Sequence, residues 1–496
     1  MAGARKTRAK AAAPRADRAV LFVVSECAPL VKTGGLADVA GSLPSALSEH
    51  GCRTRVLLPA YRGLLDLLEN GTEVMAIDDL FGGGARVLSG VANGLDCLLL
   101  DAPHLYDRDG GPYTGPDRND WTDNDVRFGA LARVGALIGQ RGLSDGWRPD
   151  IVHGHDWQAG LMPFYLAAGD DRPATVFSIH NIAYQGIFGR ETVARLGLPR
   201  DRFDPNGFEY YGNLSMLKAG LVGSDMLSTV SETYASELSE PAFGLGMEGI
   251  IQKRGRDIQG IVNGIDTALW DPATDPEVSG FTAARLKARR VNRDALIGET
   301  GLTISDGPIH SVVSRLTPQK GLDLVLAALP ALIESEASLV LLGSGDTALE
   351  EGFRDAAKAN PGRIAVTIGY DERMAHRIYA GADTVLVPSR FEPCGLTQLY
   401  GLRYGALPVV ARTGGLADTV IDANTAARRC GVATGFQMVP GSASVMAETF
   451  GAVARAFLDR AEWTRMQRNA MKQPVGWDVS ARQYRELYDR ALLRRA

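Results

Sequence analysis

Basic residues stand beside glycine or proline turns at two distant places where the chain could hold an anion. Lys32 directly precedes the turn that contains Gly34 and Gly35, and Arg315 and Lys320 flank Pro318 in the segment SRLTPQKG. Both segments follow short apolar runs typical of buried strands, and open α/β sheets bind ligands at the carboxyl ends of their strands. A solvated pair of cations is the alternative for Arg315 and Lys320. We predict that cations from both places bind one anionic ligand.

The hexapeptide TGGLAD occurs twice, at residues 33–38 and 413–418. Each copy follows an apolar run and opens a helical pattern. A Gly-Gly turn at the start of a helix exposes backbone N–H groups and the positive end of the helix dipole, which suits a phosphate. A simple tight turn is the alternative. The repeat predicts two similar loops that face one cleft.

An acidic residue, Glu392, lies in the segment FEPCGLT between an apolar run and a helix expected to start near Gly395. Backbone N–H groups of residues 395–397 could receive a phosphate while Glu392 binds sugar hydroxyls. The alternative is a carboxylate that caps the helix.

Histidine and aspartate cluster in the segment HGHDW at His153, His155 and Asp156. Alternate residues of a strand share a face, so both imidazoles should lie on one face and Asp156 on the other. Because no further ligand set accompanies them, we favour a substrate site containing Asp156 over a metal site. His180 ends the next predicted strand, where a structural role is the alternative.

The elements that must position these residues form two series of alternating strands and helices. Apolar runs at residues 19–26, 54–60, 150–157 and 175–181 belong to the first series, and the second begins near residue 308. This alternation predicts an α/β protein with two doubly wound domains. A linker rich in Pro, Gly and Asp is expected between them.

Composition and charge exclude several classes of protein. With 45% hydrophobic and 22% charged residues among 496, the chain is neither disordered nor fibrous, although its 57 glycines exceed the usual share. The net charge of -5 argues against binding nucleic acid. Residues 1–18 hold six basic residues against Asp17 alone, and we predict a disordered basic tail; docking onto an anionic surface is the weaker alternative.

Five cysteines without C-x-x-C spacing indicate a cytoplasmic protein, and the absence of a long apolar run predicts that it does not span a membrane. Two common nucleotide-binding motifs are missing from the sequence. The sequence contains no G-x-x-x-x-G-K-[ST], and the first strand is not followed by G-x-G-x-x-G, so hydride transfer from a dinucleotide loses its main support.

A series of motifs resembles the ADP-glucose-using glycogen/starch synthase family from about residue 19 to the C-terminus. In chain order they are SECAPLVKTGGLADV, YDRDGGPY with DNDVRF, HGHDWQA, HNIAYQG, IVNGID, SRLTPQKG, and FEPCGLTQLYGLRYG with PVVARTGGLADTV. The resemblance implies a GT-B fold of two facing Rossmann-like domains around a cleft. We expect the basic tail at residues 1–18, an acceptor-side domain at 19–265, a donor-side domain at 266–473, and a final helix at 474–496 that crosses back to the first domain.

The resemblance also implies roles for particular residues. The catalytic set it implies is Asp156, His180, Arg315, Lys320 and Glu392. The donor-binding set is Lys32, Gly35, Asn263, Arg315, Lys320, Tyr370, Glu392, Cys394, Gly395, Leu396 and Thr397. Tyr113, Trp157 and Tyr184 are the acceptor-side aromatics, with buried packing as their alternative role. No metal and no cofactor are implied.

The implied reaction is transfer of glucose from ADP-glucose to the non-reducing end of an α-1,4-glucan such as glycogen, with retention of configuration. Cations at the diphosphate would stabilise the leaving group. Many related transferases have a second Glu eight positions after the first, where this chain has Tyr400; the glycogen/starch synthases share that departure. The alternatives are another nucleotide-sugar transferase with a small acceptor and an inactive glycan-binding paralogue.

Overall fold

The computed structural model describes residues 17–166, 171–303 and 307–495. Nearly all of the expected basic tail, residues 1–16, lies outside this range. Arg18 does not belong to a tail, because it opens the first strand and its guanidinium pairs with Asp489. Within the described residues, no helix is long and apolar enough to cross a membrane.

The first domain is built on a nine-stranded sheet with a small three-stranded sheet beside it. Its strands are β1 (Arg18–Val23), β2 (Cys52–Pro59), β3 (Glu69–Ile77), β4 (Ala85–Ala92), β5 (Leu95–Asp101), β6 (Ile151–His155), β7 (Ala174–Ile179), β8 (Ile187–Phe188), β9 (Glu209–Tyr210), β10 (Asn213–Ser215), β11 (Met226–Thr229) and β12 (Ile258–Gly260). Its helices are α1 (Gly35–Ser48), α2 (Pro103–Tyr106), α3 (Asn124–Arg141), α4 (Asp156–Ala159), α5 (Met162–Tyr165), α6 (Thr192–Arg195), α7 (Met216–Gly223), α8 (Glu232–Glu237), α9 (Pro241–Gly244) and α10 (Glu248–Lys253), with 3-10 turns at Leu65–Leu67 and Arg200–Arg202.

The strand order of the large sheet is β12-β11-β7-β6-β1-β2-β5-β4-β3. All its neighbours pair in parallel except β4, which runs antiparallel to both β5 and β3. Strands β1, β6 and β7 are almost wholly buried, as parallel strands covered on both faces must be. The carboxyl ends of these three central strands carry Glu26, Asp156 and His180.

The second domain has a six-stranded parallel sheet in the order β15-β14-β13-β16-β17-β18. Its strands are β13 (Ile309–Val313), β14 (Ser338–Gly343), β15 (Ile364–Ile368), β16 (Thr384–Val387), β17 (Leu407–Ala411) and β18 (Phe436–Met438). Its helices are α11 (Arg289–Thr300), α12 (Leu322–Glu334), α13 (Thr347–Ala359), α14 (Glu372–Gly381), α15 (Thr397–Tyr404), α16 (Gly414–Thr419), α17 (Thr425–Cys430), α18 (Ala443–Leu458) and α19 (Arg460–Ala470), with 3-10 turns at Ala283–Ala288 and Pro318–Lys320. The order reverses at β13, where α/β sheets open a ligand crevice.

The last helix, α20 (Asp478–Arg495), packs on the first domain. Its buried face, which includes Tyr484, Leu487 and Tyr488, shares one apolar cluster with residues of β1, β2 and α1. The chain thus crosses between the domains twice. The two crossing segments meet where the Ile265 N–H donates to the Val475 carbonyl at 2.9 Å. Ile265, placed at the end of the first domain by the sequence, packs in the apolar core of the second.

Candidate active site

The loop before α1 is held by a buried carboxylate from the end of β1. Glu26 accepts hydrogen bonds from the backbone N–H of Thr33 at 2.5 Å and of Gly34 at 3.0 Å, and from the Thr33 hydroxyl at 2.6 Å. No side chain of the described chain caps α1. No described heavy atom lies within 4 Å of the position that a Cβ would take on Gly34 or Gly35. The N-terminus of α1 is therefore open to an anion.

Lys32 lies between this helix end and the second domain. Its ammonium pairs with Asp38 at 2.7 Å while its side chain stays 45% exposed. Burial lowers the pKa of Lys32, but the charge of Asp38 and the hydrogen bond to it, with smaller contributions from Tyr370 and Glu372, together raise it more, so the net pKa is above the ordinary value. Tyr370 is exposed and follows β15 in the second domain. Lys32 therefore stays charged at the boundary between the domains.

The second TGGLAD copy does not face an open cleft. Glu237 at the end of α8 accepts hydrogen bonds from the Thr413 hydroxyl at 2.9 Å and from the Gly414 N–H at 3.0 Å. A Cβ on Gly414 would overlap the carbonyl oxygen of Glu392. The expected phosphate site at this copy is thus wrong: the turn binds an anion, but the anion is a side chain of the first domain.

The cations after β13 differ in their surroundings. Arg315 is exposed and has no ion-pair partner in the described parts of the chain. Lys320 lies 2.5 Å from Glu392 Oε2, which also accepts a hydrogen bond from the Ser389 hydroxyl at 2.8 Å. Glu392 is 6% exposed, and its Oε1 accepts nothing from the described residues. One carboxylate oxygen is thus fixed and the other is available to a ligand.

The loop from Glu392 to α15 is shaped by a buried amide that the sequence analysis missed. The Gln398 side chain donates to the carbonyl oxygens of Cys394 at 3.0 Å and Gly395 at 2.9 Å. Gly395 has φ +75°, a conformation that favours glycine. Helix α15 begins at Thr397, later than expected, and Leu396 stands at its N-cap without a capping side chain from the described chain. Glu392 therefore does not cap it.

Cys394 is buried against the first domain. It shares an apolar cluster with Phe177 and Ile179 of β7, and burial raises the pKa of its thiol to about 12. Asn263 approaches it through its backbone N–H. The Asn263 side chain is buried and its Oδ1 has no hydrogen-bond partner among the described residues. An unpaired buried amide oxygen costs free energy, so it suits a site that a ligand completes.

Asp156 and His180 meet at the carboxyl ends of β6 and β7. Asp156 Oδ1 accepts the His180 N–H at 2.7 Å and the Asn181 N–H at 3.4 Å. Burial raises the pKa of Asp156 to about 7, although these two hydrogen bonds oppose the shift. Burial also lowers the pKa of His180 to about 3, so its imidazole is neutral. Asp156 is the first residue of α4, and its φ of +55° is a strained backbone conformation.

The three acceptor-side aromatics occupy different environments. Tyr113 is largely buried, and its hydroxyl donates to Glu26 at 2.5 Å and lies 2.8 Å from the Ser25 hydroxyl. Trp157 packs edge-on against Phe128, with ring centroids 5.0 Å apart. Tyr184 alone among the three is exposed, at 55%. Tyr184 is therefore the ring most available for stacking on a sugar.

His153 and His155 do share a face of β6, with ring centroids 4.0 Å apart. His153 contacts Tyr488 and Ser178, and His155 contacts His180. Within the described ranges, no group of three or more His, Cys, Asp or Glu side chains is arranged to hold a metal ion.

Comparison with known proteins identifies the family to which this two-domain chain belongs. Residues 19–253 match the starch synthase catalytic domain, and residues 301–473 match the glycosyl transferases group 1 family. The glycogen synthase of Roseobacter denitrificans is 52% identical over 95% of this chain and 99% of its own length. That of Rhodopseudomonas palustris strain HaA2 is 51% identical over 94% and 98%. The chain belongs to the glycogen synthase family.

Solved structures agree with this membership. The catalytic domain of starch synthase IV from Arabidopsis thaliana, bound to ADP and acarbose, has a TM-score of 0.85 and 30% identity over 96% of this chain and all of that one. Sucrose-phosphate synthase from Thermosynechococcus elongatus, at 17% identity and a TM-score of 0.58 over 95% of this chain and 98% of its own, shares the fold. The expectation of a GT-B glycosyltransferase of the glycogen synthase family is confirmed.

Proposed function

We propose that the protein transfers glucose from ADP-glucose to the non-reducing end of an α-1,4-glucan, with retention of configuration. The observation that carries this proposal is the open N-terminus of α1, which meets Lys32 of the first domain and faces the second. A free helix N-terminus with nearby cations binds phosphate groups, and a diphosphate supplies two of them. The ADP and acarbose bound in the structure of Arabidopsis thaliana starch synthase IV support the same choice of ligands.

The donor diphosphate would lie between Gly35 with Lys32 on one side and Arg315 with Lys320 on the other. Arg315 is exposed and has no ion pair with any described residue, so its full charge is available to the phosphates. Backbone N–H groups of Gly395, Leu396 and Thr397, at the start of α15, which no described side chain caps, would add a second helix end. Exposed Tyr370 would cover the nucleotide from the second domain.

The transferred glucose would lie between the buried polar groups of the two domains. Glu392 Oε1 and Asn263 Oδ1, which has no hydrogen-bond partner among the described residues, would accept hydrogen bonds from sugar hydroxyls. His180 and Asp156 approach from the ends of the first-domain strands. Cys394 would act through its backbone, because its thiol is buried in the apolar cluster.

Departure of ADP places negative charge on the diphosphate as the glucose C1–O bond breaks. Fixed cations stabilise that charge at the transition state more than in the bound donor, and each such contact contributes about 2.7–4 kcal/mol, roughly 100- to 1000-fold in rate. The acceptor hydroxyl would attack from the same face, passing its proton to a donor phosphate oxygen. Ionised Asp156 would stabilise positive charge on the sugar ring. Closure of the domains would exclude water and so prevent hydrolysis.

The test supplies purified protein with glycogen and radiolabelled ADP-glucose in the absence of added divalent metal. We expect ADP release matched by label in glycogen, and β-amylase, which digests from non-reducing ends, should release that label first. UDP-glucose and monosaccharide acceptors serve as comparisons. ADP release without incorporation, or preference for a monosaccharide acceptor, would contradict the proposal. Binding of glycogen without turnover would favour the inactive paralogue.

We also propose a cytoplasmic location. The five cysteines are free thiols in the structure, and four of them are buried. Free thiols are usual in a reducing compartment. Fractionation of cells that express the tagged protein would test it, since recovery in a membrane or secreted fraction would overturn it.

A further inference from the structure

Three histidines form a buried row that leads from the last helix to the active-site cleft. His153 and His155 lie on β6, and His180 follows β7. The ring centroids of His153 and His155 are 4.0 Å apart, and those of His155 and His180 are 5.3 Å apart with nearly parallel planes. His153 Nδ1 lies 3.0 Å from the Tyr488 hydroxyl of α20, and its Nε2 lies 2.7 Å from the Ser178 hydroxyl.

The contact that reaches the cleft joins His155 Nδ1 to His180 Nε2 at 3.0 Å. Burial keeps the pKa of both imidazoles below the ordinary value, so each ring is neutral and carries one N–H. One ring must therefore donate and the other must accept. Which one donates decides the tautomer of His180.

The other ring nitrogen of His155 decides which histidine donates the hydrogen bond. His155 Nε2 is buried and has no hydrogen-bond partner in the described part of the chain. A proton on that nitrogen would be a buried donor without an acceptor, whereas a bare nitrogen there is only an unused acceptor. Buried donors are the groups that proteins most rarely leave unpaired. The His155 proton therefore belongs on Nδ1, and His155 donates to His180.

With its Nε2 accepting, neutral His180 must carry its own proton on Nδ1. That nitrogen has no partner among the described residues, and the backbone N–H of the same residue is fixed by Asp156. We propose that His155 is a positioning residue that fixes the tautomer and ring plane of His180, so that His180 Nδ1–H is a donor to a hydroxyl of the bound glucose. The last step rests on the proposed function.

The chain offers a matched control in the second domain. His310 on β13 is also fully buried, has Nδ1 at 2.6 Å from the Thr384 hydroxyl, and has an unpartnered Nε2 within the described residues. It shares the burial and bonding pattern of His155 but contacts a threonine of β16 and not a histidine at the cleft. Substitutions at His310 therefore measure the general effect of removing a buried strand histidine.

The experiment combines tautomer and rate measurements. In protein with ¹⁵N-labelled histidine, long-range ¹H–¹⁵N NMR should show His180 of the wild type protonated at Nδ1, with the signal assigned from its loss in His180→Ala. His155→Leu should lose or mix this tautomer and lower kcat about 10-fold, the value of one hydrogen bond of about 1.4 kcal/mol, with little change in the ADP-glucose KM. His155→Asn, whose amide can donate from near the Nδ1 position, should recover most of the rate, and His310→Leu should keep kcat.

Two results would overturn the inference: a wild-type His180 protonated at Nε2, or equal kcat loss in His155→Leu and His155→Asn while thermal melting shows both folded. The NMR measurement needs no turnover. If the wild type shows the expected tautomer but transfers no glucose, the proposed function fails while the positioning of His180 by His155 stands.

Discussion

Glu237 of the first domain accepts two hydrogen bonds from the turn at Thr413 and Gly414 of the second domain. The first copy of the same turn binds Glu26 in the same manner, through a threonine hydroxyl and a glycine N–H. The difference is that Glu26 belongs to the same domain as its turn, whereas Glu237 belongs to the opposite one. Asp418 strengthens the cross-domain contact by accepting hydrogen bonds from the N–H and hydroxyl of Thr233.

Replacing Glu237 by Ala should weaken the association of the domains. Two charge-assisted hydrogen bonds are lost, each of about 1.5–3 kcal/mol at most, and the partial exposure of the site reduces that figure. We expect a lower midpoint in calorimetry and a larger radius of gyration in X-ray scattering. Glu232→Ala, on the exposed side of the same helix, is the control. An unchanged midpoint and radius in Glu237→Ala would show that this contact does not hold the domains together.

Arg315 and Lys320 should separate in their effects on stability. Under the proposed function, both substitutions to Ala would remove a diphosphate contact and should lower kcat about 100- to 1000-fold. Only Lys320→Ala also leaves Glu392 buried without its cation, so only that variant should melt earlier. The measurements are steady-state rates and thermal melting, with exposed Lys358→Ala as control. Full activity in Lys320→Ala would contradict the proposed role of the cations.

Asp156 predicts a specific dependence of stability on pH. Its folded-state pKa is raised to about 7 from an ordinary 3.8, so the folded protein holds this proton more tightly than the unfolded chain does. The contribution to stability is fully present below about pH 4 and is lost as the pH rises through 7. Asp156→Asn keeps the acceptor for the His180 N–H but cannot ionise, so its stability relative to the wild type should increase over this range. The measurement is the free energy of unfolding of both proteins, from denaturation at several pH values. A difference between the two proteins that stays constant with pH would contradict the raised pKa of Asp156.

The two TGGLAD copies predict opposite outcomes for the same substitution. Gly35→Ala adds a methyl group to open space, so the protein should fold normally while the ADP-glucose KM rises. Gly414 has φ +44° and its Cβ would overlap Glu392, so Gly414→Ala should cost about 1–3 kcal/mol or more in stability. Thermal melting and donor kinetics distinguish them. Equal stability of the two variants would contradict the conclusion that the turn at Gly35 is open and the turn at Gly414 is closely packed.

The sequence predicted the parts of this site that depend on local pattern. Apolar strands followed by polar residues and glycine turns place Lys32, Asp156 and Glu392 at strand ends because parallel strands expose their carboxyl ends at one edge. Glu26 ends the first apolar run but was not predicted as a site residue, because its role depends on the following loop folding back onto it.

Other relationships depend on distant parts of the chain and leave no local signal. Glu237 meets Gly414 across 177 positions, and no periodicity or spacing relates them. The pairing of His155 with His180 follows from the register of β6 and β7, in which His155 stands opposite Ser178. Tyr113 was expected at the acceptor side, but whether its hydroxyl meets Glu26 is decided by the fold of the loop before α3.

The second crossing of the chain makes neither domain a continuous stretch of sequence. The first is completed only by α20, whose Tyr484 and Tyr488 fill its core, and the covalent path to that helix runs through the entire second domain. During synthesis, this final part of the first domain therefore leaves the ribosome only after the second domain has emerged. Any motion that opens the cleft must also bend the two crossing segments, which are joined by the hydrogen bond between Ile265 and Val475. This connection favours hinge bending over free rotation of one domain about the other.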